Sequence, residues 1–193
     1  MGKRKVEDQT EMFKTEKSDR FEVFTQNKYR LDEVASALQK SIRRGLEEDA
    51  LYWALELFPK FHNYLWKRLL VVAVEDIESY NAGVVINSFH QAFKSCNDKG
   101  DHIRHRIFLT KAILYLCRAK KSRESDHFQH YIDVLKTREK EKGEKRQIPD
   151  YAIDVHTQKG RDEGMTKEEF MINEQRDLVD KGEDKYFNLL VTS

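Results

Sequence analysis

The sequence predicts an all-α protein, an orthogonal bundle of about eight helices. Three observations predict it. Two prolines and eight glycines in 193 residues are too few for the many turns of a sandwich or barrel. Charged residues make up 36% and apolar ones 39%, the balance of helices with heavily charged outer faces. Apolar side chains then recur at three- and four-residue spacing through most of the chain. Aromatics reach 11% and cluster in the middle, which excludes disorder across the whole chain.

Residues 1–20 alternate charges with few apolar side chains and read as a charged flexible arm. The helical core domain is expected over 21–138. Its first helix carries Leu31, Val34, Ala35, Leu38 and Ile42 on one face, with Asp32 and Glu33 in the first turn and Gly45 as a stop. The second carries Leu51, Ala54, Leu55 and Phe58, ends at Pro59 and forms a hairpin with the first. The third, from Phe61 to about Ile77, has one face of Tyr64, Leu65, Leu69, Val72 and Ala73. Leu70, Val71 and Val74 extend that face around the cylinder, and a helix apolar most of the way round is usually central.

Val84, Val85, Ser88, Phe89, Ala92 and Phe93 define a fourth helix, ended by the 97–100 segment. Ile103, Ile107, Phe108, Ala112, Tyr115 and Leu116 define a fifth. A sixth is capped by Ser122 or Ser125, with Phe128, Tyr131, Ile132 and Leu135 facing inward. Residues 139–148 form a charged linker. A C-terminal helical extension, 149–193, is expected to pack on the core. It begins with a short helix from Tyr151 to about Lys159. Its last helix opens on a capping box, Thr166 with Glu169, and a hydrophobic staple, Met165 with Phe170.

The net charge of +1 makes no global argument for an acidic or a nucleic-acid partner. Cys96 and Cys117 lie in apolar helical patterns without CxxC spacing. Buried free thiols in a reducing cytosol are the plain reading, a disulfide the alternative. No apolar run approaches the roughly 20 residues that span a membrane. The start, MGKRKVEDQTEMFK, is charged throughout, unlike a secretory signal, and Val6 stands where myristoylation needs Ser or Thr. A cytoplasmic protein without membrane contact is expected.

Read as strings, the first helices give VASALQKSIRRGLEEDALYWALELF and then YLWKRLLVVAVEDI. Ser36, Ala37, Leu38, Lys40 and Ser41, then Ala50, Leu51, Tyr52 and Trp53, then Arg68, Leu69, Glu75, Asp76 and Ile77 stand in a fixed order. AILYLCRAKKS and the Gln147–Pro149 step follow. Over about residues 29–155 this resembles the C-terminal domain of bacterial MgsA/RarA proteins and the related Werner-helicase-interacting ATPases. The resemblance implies a helical oligomerisation domain, a homo-oligomer with a tetramer favoured, and work in DNA replication, recombination or repair beside an AAA+ ATPase or replication proteins. Three departures accompany it. No GxxxxGK[ST] precedes the region, so a non-enzymatic module without a nucleotide cofactor is expected. Glu78 stands where the family has glycine, and the family's tail is replaced by the acidic, capped helix.

Candidate chemistry has a bland counterpart at each position. His102 with His105, and His127 with His130, have the i, i+3 spacing of metal ligands, with Asp101, Asp126 or Asp133 as a third donor. Against this they lie on polar faces without the flanking residues of a zinc motif, and a metal-dependent enzyme ranks last. Glu75 and Asp76 are adjacent and diverge by about 100° on a helix, so they suit capping, or pairing with Arg43, Arg44 or Arg68, rather than acid–base work. The cations Lys40, Arg43 and Arg44, together with Arg104, Arg106, Lys111, Arg118, Lys120, Lys121 and Arg123, would make a DNA-binding surface if their helix ends converge. A solvated helix face is the competing reading. Lys121–Ser122 opening a helix suits an anion. Among the aromatics, Tyr52, Trp53 and Trp66 are candidates for an oligomer interface, with ordinary core as the alternative.

Overall fold

The computed structural model describes residues 23–96, 105–184 and 186–187. The 1–20 arm, the 97–100 stop, Asp101, His102 and Arg104 lie outside the described residues. The elements are α1 (Leu31–Arg44), α2 (Glu47–Glu75), α3 (Ala82–Cys96), α4 (Arg106–Arg118), α5 (Glu124–Lys142), a 3-10 turn (Asp150–Ala152), α6 (Gln158–Asp162) and α7 (Lys167–Asp177). Two isolated bridges, Phe24 with Arg30 and Ile77 with Lys121, are the β-type pairings among the described residues. The all-helical expectation holds there.

α1 forms where the sequence places it. Asp32 and Glu33 occupy its positive end and Arg43 and Arg44 its negative end, each favourable against the helix dipole. Gly45 ends it at φ 69°, a left-handed geometry that suits glycine. α2 differs from expectation. Pro59 does not end the helix, which runs from Glu47 to Glu75 with a kink at Phe61 (φ −122°, ψ 29°). Proline has no amide proton to give the carbonyl one turn back, so the path bends where that bond is missing.

α2 packs against α1, α3 and α4. The core these helices share includes Leu38, Ile42, Leu57, Leu65, Trp66, Leu69, Ile86, Leu109, Ile113 and Leu116. Three neighbours leave part of α2 uncovered, and this corrects the reading of its third segment. Leu70 is 38%, Val71 44% and Val74 57% exposed. Phe128 and Tyr131 on α5, expected to face inward, are also exposed, and α5 buries none of its described residues. Beyond Leu135 its sequence is charged at almost every position, so no apolar stripe continues along it.

The chain divides into two compact units, Met1–Asp133 and Val134–Ser193. In the second, the expected helix from Tyr151 becomes a 3-10 turn, and α6 starts seven residues later. The reason is local. The Asp154 carboxylate accepts the His156 amide at 2.8 Å and the Thr157 hydroxyl donates to the Asp154 carbonyl at 2.8 Å, and such short-range bonds compete with helix. Thr157 then caps α6 by accepting the Gly160 amide at 3.1 Å. The capping box of α7 forms as the sequence predicts: Glu169 N–H donates to the Thr166 hydroxyl at 3.2 Å and Thr166 N–H to the Glu169 carboxylate at 2.9 Å.

Candidate functional site

α1 brings Gln39 and Arg43, one turn apart, to the C-terminal end of α2. Arg43 Nε donates to Asp76 at 2.8 Å and its terminal nitrogen to Glu75 at 3.1 Å. Gln39 Nε2 donates to Asp76 at 2.9 Å and to Glu75 at 3.2 Å. Arg68 reaches the group only through Gln39, donating to its side-chain oxygen at 2.8 Å. Arg44 takes no part and donates to its own helix at the Lys40 carbonyl, 2.9 Å away. Of the three arginines expected on these acids, Arg43 alone pairs with them directly.

The other side of the node comes from the segment after α4. Ser122 N–H donates to the Asp76 carbonyl and Glu78 N–H to the Lys120 carbonyl, both at 3.0 Å. This short antiparallel step sets Arg123 2.9 Å from Glu75 and in contact with Asp126. Glu75 and Asp76 therefore hold α1, α2 and the α4–α5 connection in register. Their oxygens are taken up by guanidinium and amide donors, an arrangement that locks a structure. Arg123's part in the node was not legible, because Glu75 lies far back in the chain.

The remaining expected DNA contacts are largely engaged within the protein. Arg118 makes a two-pronged pair with Glu47 at 2.7 and 3.1 Å, which holds the Glu47 carboxyl below its usual range. Lys120 sits 2.7 Å from Glu78, and that hydrogen bond raises the lysine's pKa. The Lys121 ammonium donates to the carbonyls of Leu116, Cys117 and Ala119 at 2.9, 2.9 and 2.6 Å. It closes the C-terminal end of α4, and burial lowers its pKa. Lys121 is thus a helix cap, not the start of an anion site. Ser122 is likewise occupied, accepting the Glu124 amide at 3.1 Å. Lys40, Arg44 and Lys111 are exposed.

Among the aromatics, Trp66 is 1% exposed. Its indole stacks on the His90 ring at 5.0 Å and 13° and lies 5.7 Å from Phe93. It is core of its own chain, which corrects its place as an interface candidate: the face away from Leu65 is covered by α3. Tyr52 is exposed and Trp53 half-buried. Tyr52 meets Trp53 edge-on at 4.9 Å, and Trp53 meets Tyr29 at 5.7 Å. Sequence reasoning missed the uncovered stripe along α2, Tyr64, Lys67, Leu70, Val71 and Val74, with exposed Val84 on α3. Gly83 brings α3 up against this stripe, leaving just room for a Cβ 3.8 Å from Leu70 and from Val74.

Cys96 is an exposed free thiol and Cys117 a buried one, so the expectation of two buried thiols holds for Cys117 alone. His127 and His130 are exposed on α5, and among the described residues no three His, Cys, Asp or Glu side chains are placed to share a metal ion. No helix of the described residues is long and apolar enough to cross a membrane.

A family model described as MgsA AAA+ ATPase C terminal matches residues 46–187. No curated protein matches the chain. The matched region starts directly after α1 and runs through α7, so it includes the capped helix that the sequence suggested as a replacement for the family's tail. It also takes in the node's Glu75, Asp76 and Arg123, and the α2–α3 stripe. The chain therefore belongs to the family of MgsA AAA+ ATPase C-terminal domains.

Proposed function

We propose that this chain is a non-catalytic helical interaction module that self-associates, with a tetramer favoured, and acts beside an AAA+ ATPase in DNA replication, recombination or repair. The observation that carries the reading is the uncovered apolar stripe of α2 and α3, in a domain whose family is the C-terminal region of such ATPases. Tyr64, Leu70, Val71 and Val74 follow the i, i+3, i+4 spacing of one helix face, with Lys67 the charge among them. Contiguous apolar surface of this kind marks an interaction site, and a straight helical stripe can pair with its own copy about a twofold axis. Tyr52 and Trp53 offer a second aromatic surface for the same purpose. Direct DNA binding has less support, because Arg43, Arg118, Lys120, Lys121 and Arg123 already face acids or carbonyls of the chain itself.

Sizing the full chain by analytical ultracentrifugation, with and without duplex DNA at physiological salt, tests the proposal. An assembly larger than a monomer, unchanged by DNA, is expected. A strict monomer at micromolar concentration overturns the self-association. A DNA-bound species whose affinity falls steeply with salt and with charge reversal at the exposed Lys40 and Lys120 supports the accessory DNA-binding reading instead.

A further inference from the structure

The second unit, Val134–Ser193, lacks something a stable unit normally has. Among its described residues Gly160 is the one that is buried, and none of its apolar side chains is. Those apolar groups gather around an open groove of about 1120 Å³. Asp150 and Tyr151 of the 3-10 turn, with Ile153 and Asp154 after it, line the groove. Met165, Phe170 and Met171 at the start of α7, and Leu178 just beyond its end, line it too. An opening of this size is far larger than the voids of a packed interior.

Its walls are held in place. Thr157 and the Thr166–Glu169 box cap α6 and α7. The His156 ring meets Phe170 edge-on at 4.9 Å. Gly160 lies so close to Asp154 that a Cβ would overlap the Asp154 carbonyl. The groove follows α7, an 11-residue helix about 16 Å long, which suits a chain segment better than a compact metabolite. Two methionines in the lining adapt to varied side chains.

Charge selects the kind of segment. Residues 149–187 carry eleven acids and six bases, whereas 134–148 of the same unit carry three acids and six bases. The groove itself is edged by Asp150, Asp154, Glu174 and Asp177, against Arg176, which is 3.1 Å from Asp177. The acidic edge repels phosphates and other anions. It attracts a peptide whose apolar anchors are flanked by Lys or Arg. We propose that this groove is a docking site for a short basic–apolar peptide segment of a partner protein, lying along α7 with apolar side chains between Ile153 and Phe170 and cations at the Glu174 end. The groove and the α2–α3 stripe are separate features, so this docking stands or falls apart from self-association.

The test uses the full chain and two labelled amphipathic peptides, one of leucine and lysine, the other of leucine and glutamate. Anisotropy titrations at low salt are expected to show binding of the lysine peptide, at least tenfold weaker for the Glu174→Lys, Asp177→Lys double variant, and no binding of the glutamate peptide. Hydrogen exchange on the unmodified chain is expected to show protection over residues 150–178 when the lysine peptide is added. No binding at low salt overturns the proposal. Equal affinity for both peptides, affinity unmoved by the double variant, or protection confined to other residues overturns it too.

Discussion

Arg43 Nε lies 2.8 Å from a carboxylate oxygen of Asp76, an acid only 1% exposed. The pair joins α1 to the end of α2, and Gln39 adds a second donor on the same acid. Removing the acid leaves a half-buried guanidinium and a buried amide without their main acceptor. Breaking one side of such a pair costs far more than the pair contributes over an apolar substitute. Asp76→Ala is expected to destabilise the first unit by about 3 kcal/mol. Urea unfolding followed by circular dichroism checks this, and a loss below about 1 kcal/mol would mean that the node behaves as an ordinary surface ion pair.

His90 gives the fold a pH dependence of known sign. Burial against Trp66 lowers its pKa from the usual 6.5, helped by the nearby charges of Lys94 and His62. The unfolded chain therefore takes up the proton first. The contribution to stability is fully present above pH 6.5 and is lost as the pH falls through the lower, folded-state value. Urea midpoints should fall between neutral pH and pH about 5, and His90→Phe should flatten that part of the profile. An unchanged slope in the variant contradicts the assignment.

The two thiols should separate cleanly. Burial pushes the Cys117 pKa up to about 11, whereas Cys96 is exposed, and reaction requires an accessible thiolate. A thiol reagent at neutral pH is expected to label Cys96 alone in the native chain and both cysteines in urea. Mass mapping of the label reads this directly, and native labelling of Cys117 would show that the α4 packing is not as described.

Gly160 is irreplaceable for a steric reason. A Cβ there overlaps the Asp154 backbone carbonyl, which cannot move without losing the Thr157 cap of α6. Gly160→Ala should cost the second unit at least about 2 kcal/mol. Hydrogen exchange should quicken over 150–178 while the core of the first unit is unaffected. Unchanged exchange in both units contradicts the packing.

Local signals were the legible ones. The Gly45 stop, the Thr166–Glu169 box and the faces carrying Leu38, Ile42, Leu65 and Leu69 depend on residues within one or two turns, and all appear where expected. Faces of α2 were not separable, because a helix apolar most of the way round does not reveal where its neighbours lie. Trp66 is buried under α3, whereas Val74, beside the same helix, stays 57% exposed. The ion pairs of the basic run were not legible, because their acids are distant in sequence: Glu47 is 71 positions from Arg118, although Arg118 itself stays 67% exposed. Phe128 and Tyr131 looked like an inward face at the right spacing, yet α5 has no partner helix pressed on that side among the described elements.

We propose that the α2–α3 stripe joins copies of this chain. Val74 is 57% exposed but lies in the last turn of α2 beside Glu75, so Val74→Asp should cost the monomer no more than about 1.5 kcal/mol. Light scattering of the parent, of Val74→Asp and of Val71→Asp, each checked for unchanged helicity, is the most direct measurement. The parent is expected to assemble and the folded variants to run as monomers or with at least a tenfold weaker association. Variants that keep the parent's mass at micromolar concentration would place the contact elsewhere and rule out the stripe as the interface.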